Sequence, residues 1–226
     1  MNSNENIIEL DGVCYAYNGN IALRYITLNI KKGECVVLQG SNGSGKSTLL
    51  RLMSGLVYPE KGKYIFGGEE ITEKYLADRV NSRRFHQRLG FIFQNSDTQL
   101  FCSSVEEEIA FGPLQMGFSS EEVNNRVESI IKLLDIEKLR KRAPYHLSGG
   151  EKRKVAIACI LSMNPEVLML DEPLAGLDRK SQKWLTEFLL ALKSAGKTLI
   201  ISTHNDELAN KLADRIIEIN DDHEIV

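Results

Sequence analysis

A glycine-rich segment between an apolar run and a helical run constrains this chain more than any other feature. Its residues are Gly40, Ser41, Asn42, Gly43, Ser44, Gly45, Lys46, Ser47 and Thr48. The glycines let the backbone turn tightly, so that several N–H groups can face one anion. The run Cys35–Gln39 predicts a strand, and Thr48–Ser54 predicts a helix whose positive N-terminal end faces the same point. The segment is therefore predicted to be a phosphate-binding P-loop.

Two side chains of this loop suit a nucleoside triphosphate that carries magnesium. Lys46 supplies a mobile positive charge for the β- and γ-phosphates, and the Ser47 hydroxyl is a magnesium ligand. A glycine-rich turn without a ligand would leave both side chains unexplained. We therefore favour nucleotide binding, with ATP and Mg²⁺ as the expected ligands.

A second apolar run ends in two carboxylates. Val167–Leu170 predicts a buried strand, and Asp171 and Glu172 follow it directly. A strand in a parallel sheet presents its carboxyl end to the ligand crevice, which places this pair beside the P-loop. We expect Asp171 to hold magnesium through water, and Glu172 to orient or deprotonate the water that attacks the γ-phosphate. A solvated acidic turn is the alternative.

The distribution of apolar runs predicts an α/β protein with a P-loop NTPase core and a mainly parallel sheet. Its predicted strands are Cys35–Gln39, Gly90–Phe93, Val167–Leu170, Thr198–Ser202 and Arg215–Ile219. An N-terminal antiparallel β subdomain is expected from three further strands, Ile7–Tyr17, Ala22–Ile30 and Lys63–Phe66. We interpret residues 1–226 as one domain.

A helical subdomain, over about residues 95–145, is expected to be inserted into this core. Ser104 with Glu107, and Ser119 with Glu122, each have the spacing of a capping box that begins a helix. The apolar residues that follow the second box recur at helical spacing, and we interpret them as core: Val123, Val127, Ile130, Ile131 and Leu134.

Composition argues against several other functions. The net charge of −3 gives no electrostatic footprint for nucleic acid. The cluster Arg79, Arg83, Arg84, His86 and Arg88 is better explained as a solvated helical face. No CxxC pair occurs, so disulfide and zinc sites are disfavoured. No apolar run approaches the roughly 20 residues that span a bilayer, so a membrane role would be indirect.

The segment Leu147–Glu151 predicts a helix start with an anion site. Ser148 and Glu151 form a capping box, and Gly149 and Gly150 leave backbone N–H groups uncovered. Such a terminus can hold a terminal phosphate. An ordinary capped helix is the alternative, but the segment lies between the P-loop and the Asp171–Glu172 strand.

With these motifs in this order, the chain resembles the ATP-binding cassette (ABC) family over nearly its whole length. The resemblance implies that Gln94 is the Q-loop residue that touches magnesium and water, and that His204 contacts the γ-phosphate. It also implies that Leu174–Asp178 is the D-loop and that Tyr17 stacks on adenine. Tyr15 is the alternative if the alignment with the family is shifted.

The family resemblance also implies a dimer. In this family, the signature of one subunit, here Ser148 to Gly150, closes over the ATP held by Lys46 of the other subunit. ATP binding then favours the closed state, and hydrolysis with product release opens it. A second copy of the chain and a paralogous cassette are both possible partners.

Two classes of cassette protein compete, namely transporter subunits and soluble ATPases that act on DNA or ribosomes. We favour a transporter because the segments Asn95–Phe101 and Val105–Pro113 resemble energy-coupling-factor importers, particularly the cobalt/nickel branch. Ser96-Asp97-Thr98 departs from that branch's usual Pro-Asp-Asp. The expectation is a peripheral ATPase on the cytoplasmic face of the membrane, importing cobalt, nickel or a vitamin. Another ABC transporter class is a further alternative.

A transporter subunit of this kind needs a surface for its integral membrane partner. We expect a groove between Gln94 and the helical subdomain to receive a short helix of that partner. The expected apolar floor consists of Leu100, Phe101, Phe111 and Met116, and an assignment of these residues to the core is the alternative.

Overall fold

The computed structural model describes residues 5–226, so the first four residues of the predicted 1–226 domain lie outside the described part. Nine strands occur in the described residues. They are β1 Asn6–Tyr17, β2 Asn20–Lys31, β3 Cys35–Gln39, β4 Lys61–Phe66, β5 Glu69–Glu70, β6 Leu89–Ile92, β7 Val167–Asp171, β8 Thr198–Ser202 and β9 Arg215–Glu218. The predicted strands therefore exist, with ends that differ by up to two residues.

Eight α-helices occur over the same range. They are α1 Lys46–Met53, α2 Glu73–Ala77, α3 Arg79–Arg88, α4 Val105–Met116, α5 Ser120–Leu134, α6 Gly149–Leu161, α7 Arg179–Ser194 and α8 Asp206–Leu212. Single 3-10 turns lie at Ser96–Thr98, Glu137–Leu139 and Pro144–His146. Helix α1 begins at Lys46, two residues before the predicted start. No helix in residues 5–226 combines the length and the apolar character that a membrane span requires.

The parallel sheet has the strand order β6-β7-β8-β3-β9. The register aligns Asp171, at the end of β7, with Ser202, at the end of β8. This edge is where β3 and β6 also end, so residues distant in sequence meet there. The order confirms the predicted P-loop core.

The N-terminal strands form a separate antiparallel sheet in the order β2-β1-β4-β5. Asn18 and Gly19 connect β1 to β2, with φ angles of 49° and 83°. Positive φ at both central residues is the geometry of the two-residue turn that matches strand twist. The predicted antiparallel subdomain is thereby confirmed.

Both faces of the parallel sheet are covered, which explains its continuous apolar strands. Alternate residues of β3 belong to different cores. Val36 and Leu38 pack with α1 and the antiparallel sheet, whereas Cys35 and Val37 pack with the helices on the other face. The sheet is thus held rigidly between two layers, and its carboxyl edge carries the loops.

Helices α4 and α5 lie in the segment predicted to be helical. Ser119 and Glu122 form a complete capping box at α5. The predicted box at Ser104 is only half correct. The Ser104 side chain accepts from the backbone N–H of Glu107, but the Glu107 carboxylate accepts from the Ser103 hydroxyl rather than from Ser104.

The basic cluster lies on α3. Arg88 pairs with Glu166, with 2.7 Å between Nε and Oε1, and its guanidinium covers the Phe66 ring. The remaining basic side chains are exposed: Arg79, Arg83, Arg84 and His86. This arrangement agrees with a solvated helical face.

Candidate functional site

A pocket of about 300 Å³ opens at the carboxyl edge of the parallel sheet. Its lining residues are Asn42, Gly43, Gly45, Lys46, Ser47, Thr48, Gln94, Asp171, Glu172 and His204. All ten were predicted from the sequence as site residues. Gly40, Ser41 and Ser44 belong to the same loop but do not line the pocket.

The glycines of the loop are required where the backbone approaches other strands closely. Gly45 has a φ of 115°, and a Cβ there would collide with the Ala22 carbonyl oxygen of β2. Gly40 has a φ of 141°, and a Cβ there would collide with the Ile219 carbonyl oxygen. Any side chain at either position would push the loop away from the sheet edge.

Lys46 is a buried cation, with only 7% of its surface exposed. Its Nζ donates to the Gly40 and Ser41 carbonyl oxygens, at 2.8 and 2.7 Å. No carboxylate among the described residues lies within ion-pair distance of it. A buried charge that only carbonyl dipoles compensate favours an anion in the adjacent pocket, so Lys46 fits a phosphate.

The donor set around Asp171 fits magnesium. The Asp171 Oδ1 accepts from the Ser47 hydroxyl at 3.1 Å, and it also accepts from the Ser202 hydroxyl. Gln94 lines the same pocket. Hydroxyl, carboxylate and amide oxygens are the hard ligands that Mg²⁺ prefers, and few protein ligands suffice because Mg²⁺ usually keeps several waters.

Glu172 is held in a strained backbone conformation beside His204. Its φ is 44°, which is uncommon for a residue other than glycine. Its N–H donates to the carbonyl oxygen and the hydroxyl of Ser202, at 3.0 and 3.1 Å. The Glu172 Oε2 lies 3.0 Å from the His204 Nδ1. The strain fixes a carboxylate at the pocket wall, as expected of a functional position.

Sequence reasoning missed two supporting residues. Ser202 orients both acidic residues, and the only sequence signal for it was a hydroxyl at the end of an apolar strand. Arg153 on α6 is 3% exposed, and its guanidinium donates to the Phe93 and Gln94 carbonyl oxygens at 2.7 and 2.5 Å. Burial lowers the pKa of Arg153. This side chain joins α6 to Gln94, a contact that spacing along the chain does not predict.

Tyr17 lies outside the pocket, next to the Asn18-Gly19 turn. Its side chain is exposed, whereas Tyr15 packs partly against the core, and their ring centroids are 4.8 Å apart. Burial raises the pKa of Tyr15. An exposed ring is available to stack on a base, so the geometry favours Tyr17 over Tyr15.

The Leu147–Glu151 segment also lies outside the pocket of its own chain. Ser148 and Glu151 form a complete capping box at α6. The backbone N–H and hydroxyl of Ser148 donate to the Glu151 carboxylate, and these bonds lower the pKa of Glu151. A Cβ on Gly149 would meet nothing within 4 Å. The start of α6 is therefore an open helix terminus.

Asp178 is engaged within its own chain. Its carboxylate accepts from the Ser181 backbone N–H at 2.9 Å and caps α7, which lowers the pKa of Asp178. A Cβ on Gly150 would collide with the Ser181 hydroxyl. The start of α7 thus packs directly against the start of α6, outside the phosphate pocket.

Comparison with known proteins decides the family. A family model described as ABC transporter matches residues 23–175. The chain belongs to the ABC transporter family. The nickel import ATP-binding protein LarO of Lactiplantibacillus plantarum is 46% identical over 219 residues, which cover 97% of this chain and 91% of LarO. The ABC resemblance inferred from the motifs is thereby confirmed.

Solved structures agree with this assignment. CbiO1 from Clostridium perfringens, described as part of the ABC transporter complex CbiONQ, has a TM-score of 0.86 and 33% identity, covering 99% of this chain and 88% of CbiO1. A dimeric ATP-binding cassette in a post-hydrolysis state, bound to ADP and Pi, has a TM-score of 0.84 and 30% identity, covering 96% of both chains. This ABC protein is therefore an ATP-hydrolysing transporter subunit.

Proposed function

We propose that this ABC protein powers an energy-coupling-factor type importer of nickel or cobalt ions. Support comes from LarO, a relative named for nickel import, and from the fold shared with CbiO1. In this proposal residues 1–226 act as one ATPase domain, with a helical subdomain over about residues 95–145. The protein would lie at the cytoplasmic face of the membrane, bound to an integral membrane subunit.

One observation carries the catalytic part of the proposal. Lys46, Asp171, Glu172 and His204 converge on one pocket, although up to 158 residues separate them along the chain, from 46 to 204. The pocket joins a phosphate-binding cation to a carboxylate pair. Such a combination serves phosphoryl transfer to water.

The loop binds the triphosphate with its backbone N–H groups and with the Lys46 ammonium group. The ammonium group is already buried and fixed by two carbonyl oxygens, so little reorganisation accompanies phosphate binding. The exposed Tyr17 ring would stack on adenine. These contacts would direct the γ-phosphate toward Glu172 and His204.

Ser47, Asp171 and Gln94 would hold magnesium. When bound, Mg²⁺ neutralises charge on the β- and γ-phosphates. The Ser47–Asp171 hydrogen bond keeps both side chains on the same side of the pocket.

Glu172 would accept a hydrogen bond, and then a proton, from the water that attacks the γ-phosphate, while the bond from the γ-phosphorus to the bridging oxygen breaks and ADP leaves with that oxygen. The His204 Nδ1 orients the Glu172 carboxylate, and the ring is exposed enough to reach the γ-phosphate. Ser202 fixes the backbone of Glu172. Catalysis would consist mostly of positioning and charge neutralisation.

A second cassette, either another copy or a paralogue, would complete the site. Ser148, Gly149 and Gly150 lie outside the pocket of their own chain, and their helix terminus is open to an anion from a partner. Asp178 would lie beside the same interface. ATP held by Lys46 of one subunit would bridge to this terminus of the other subunit.

The proposed docking surface for the membrane partner is the cleft beside Phe101. This cleft of about 460 Å³ is lined by Asp97, Leu100, Phe101, Cys102, Ser103, Pro144, Tyr145 and Lys152. The exposed Phe101 and Phe111 rings lie 4.9 Å apart, edge to face. Of the four predicted floor residues, these two are exposed, whereas Leu100 and Met116 are half-buried. A short apolar helix of the partner fits this chemistry.

Phe101→Asp tests the docking surface and the cargo together. In cells that contain the membrane partner, nickel and cobalt uptake should fall about tenfold or more because a buried carboxylate opposes docking. ATP hydrolysis by the isolated protein should stay within about twofold, because Phe101 lies outside the pocket. Leu133→Asp is the control, since Leu133 is exposed on α5.

Normal uptake by Phe101→Asp would contradict the docking surface. Uptake of a vitamin but of neither metal ion by the unmodified transporter would contradict the proposal that nickel or cobalt ions are transported. Neither result would affect the ATPase assignment.

A further inference from the structure

The end of the chain folds back onto the phosphate loop. After β9, Ile219 bridges to Ile225, and the Asn220 N–H donates to the Glu224 carbonyl oxygen at 3.0 Å. We call residues 220–224 the C-terminal turn. Nothing in the motif pattern predicts that this turn reaches a loop about 180 residues earlier.

Two side chains of the C-terminal turn bind the loop directly. The Asp221 carboxylate accepts from the Ser41 hydroxyl. The His223 Nδ1 lies 3.0 Å from the Ser44 carbonyl oxygen. Because a carbonyl oxygen only accepts, Nδ1 must carry the proton and donate it. The loop is thus held by this turn as well as by Lys46.

The His223 contact bears on how the loop presents its N–H groups. In a trans peptide, the C=O and the following N–H point in opposite directions. His223 holds the Ser44 carbonyl oxygen toward the C-terminal turn, so the Gly45 N–H is directed to the other side. Gly45 lines the phosphate pocket. The imidazole therefore fixes one peptide unit in the orientation that an anion requires.

The backbone of His223 suggests that the ring matters at this position. Its φ is 65°, a left-handed conformation that glycine and asparagine adopt more readily than histidine. The turn is also anchored without the ring. The Arg24 N–H donates to the His223 carbonyl oxygen at 2.9 Å, and the Arg24 guanidinium lies 3.9 Å from Glu224. Removing the ring should therefore leave the turn in place.

We propose that His223 is a positioning residue that holds the phosphate loop in its ATP-binding conformation. Its imidazole fixes the Ser44–Gly45 peptide, and Asp221 provides a second attachment at Ser41. The inference rests on the proposed phosphate-binding role of this loop. It is independent of the transported ion and of the second cassette.

Two substitutions of His223 distinguish the effect of the side-chain donor from the effect of the backbone conformation. His223→Gly removes the donor and tolerates the positive φ. His223→Asn also tolerates this φ, and its Nδ2 stands as many bonds from the backbone as the Nδ1 of histidine, so it can donate to Ser44. Titration calorimetry on the full chain would measure the Kd for ATP, and steady-state assays would measure KM and kcat.

His223→Gly should raise the Kd and the KM for ATP about three- to tenfold, the value of one hydrogen bond. The kcat should stay within about twofold, because the lost contact stabilises bound ATP and the transition state equally. The Tm should change little, because relief of the strained φ offsets the lost hydrogen bond and the added freedom of the unfolded chain. His223→Asn should restore the Kd to within about twofold. Asp222→Asn is the control, since Asp222 is exposed in the same turn.

The inference is overturned if His223→Gly binds ATP as tightly as the unmodified chain. It is equally overturned if His223→Asn binds no better than His223→Gly, because the donor would then be irrelevant. Absence of ATP binding by the unmodified chain would refute the phosphate site itself, and with it this inference.

Discussion

The phosphate loop and the start of α6 both present backbone N–H groups, but the chain supports them very differently. The loop is held by Lys46 from within, and by Asp221 and His223 from the C-terminal turn. The start of α6 is held by its capping box, and Gly149 faces open space. The loop is therefore fixed by contacts within the chain, whereas the start of α6 is exposed. This asymmetry is expected if each closed ATP site takes one region from each of two subunits.

The largest predicted effect concerns the pocket that the phosphate loop lines together with Glu172. Glu172→Gln should lower kcat roughly 100- to 10,000-fold, because the amide cannot accept the proton of the attacking water. The Kd for ATP should change less than about threefold, since Lys46 and the loop are untouched. Phosphate release and calorimetry measure the two quantities. ATP should also trap a closed dimer, which size-exclusion chromatography would detect.

Glu187→Gln is the matched control for this substitution, since Glu187 is an exposed carboxylate on α7. Its kcat should equal that of the unmodified chain within about twofold. Full turnover by Glu172→Gln would remove Glu172 from the proposed chemistry and leave the phosphate site without a base.

The second prediction concerns the open region. Gly149→Asp adds a negative charge in the first turn of α6, where it is favourable for the isolated helix. The folded monomer should therefore keep its Tm and its Kd for ATP. The same charge would repel the γ-phosphate presented by a partner, so turnover should fall about tenfold to 100-fold. Gly149→Ala adds volume without charge and should lower turnover much less, because a Cβ there meets no atom within 4 Å.

Unchanged turnover by Gly149→Asp would mean that the start of α6 does not face phosphate in the working enzyme. A matched loss of ATP affinity in the monomer would contradict the separation of the two regions. Both results would be visible in the same calorimetric and kinetic measurements.

The same two regions show what sequence reasoning can and cannot reach. The loop Gly40–Thr48 and the pair Asp171–Glu172 were predictable because each sits at the end of an apolar strand. Parallel strands bring such ends to one edge. The capping box at Ser148 was predictable because its partners are three residues apart.

Contacts between distant segments were not predictable. Arg153 and Ser202 support the pocket from α6 and β8, and His223 reaches the loop from the end of the chain. Apart from the hydroxyl of Ser202 at the end of an apolar strand, these residue types carry no local signal, because the contacts depend on how the layers pack. The half-formed box at Ser104 has a different, local cause, since the neighbouring Ser103 hydroxyl competes for the same Glu107 carboxylate.

The smallest predicted effect separates the stability of the α6 terminus from its function. Glu151→Ala removes one half of the capping box and should lower the Tm by about 1–3 °C at pH 7. Hydrogen bonds from Ser148 lower the pKa of Glu151 below 4.5, so the carboxylate stabilises the fold above about pH 4.5. This contribution is lost as the pH falls through the folded-state pKa. The Tm difference between the variant and the unmodified chain should therefore shrink toward zero in acid.

Glu122→Ala is the matched control because Ser119 and Glu122 form the same box at α5, away from the pocket. Ser119 likewise lowers the pKa of Glu122, so both variants should show the same pH dependence of Tm. Only Glu151→Ala should also reduce ATP turnover, by about twofold to fivefold, since only its helix terminus would face a partner's phosphate. Equal turnover in the two variants would reduce the α6 terminus to an ordinary capped helix and would leave the second half of the ATP site unassigned.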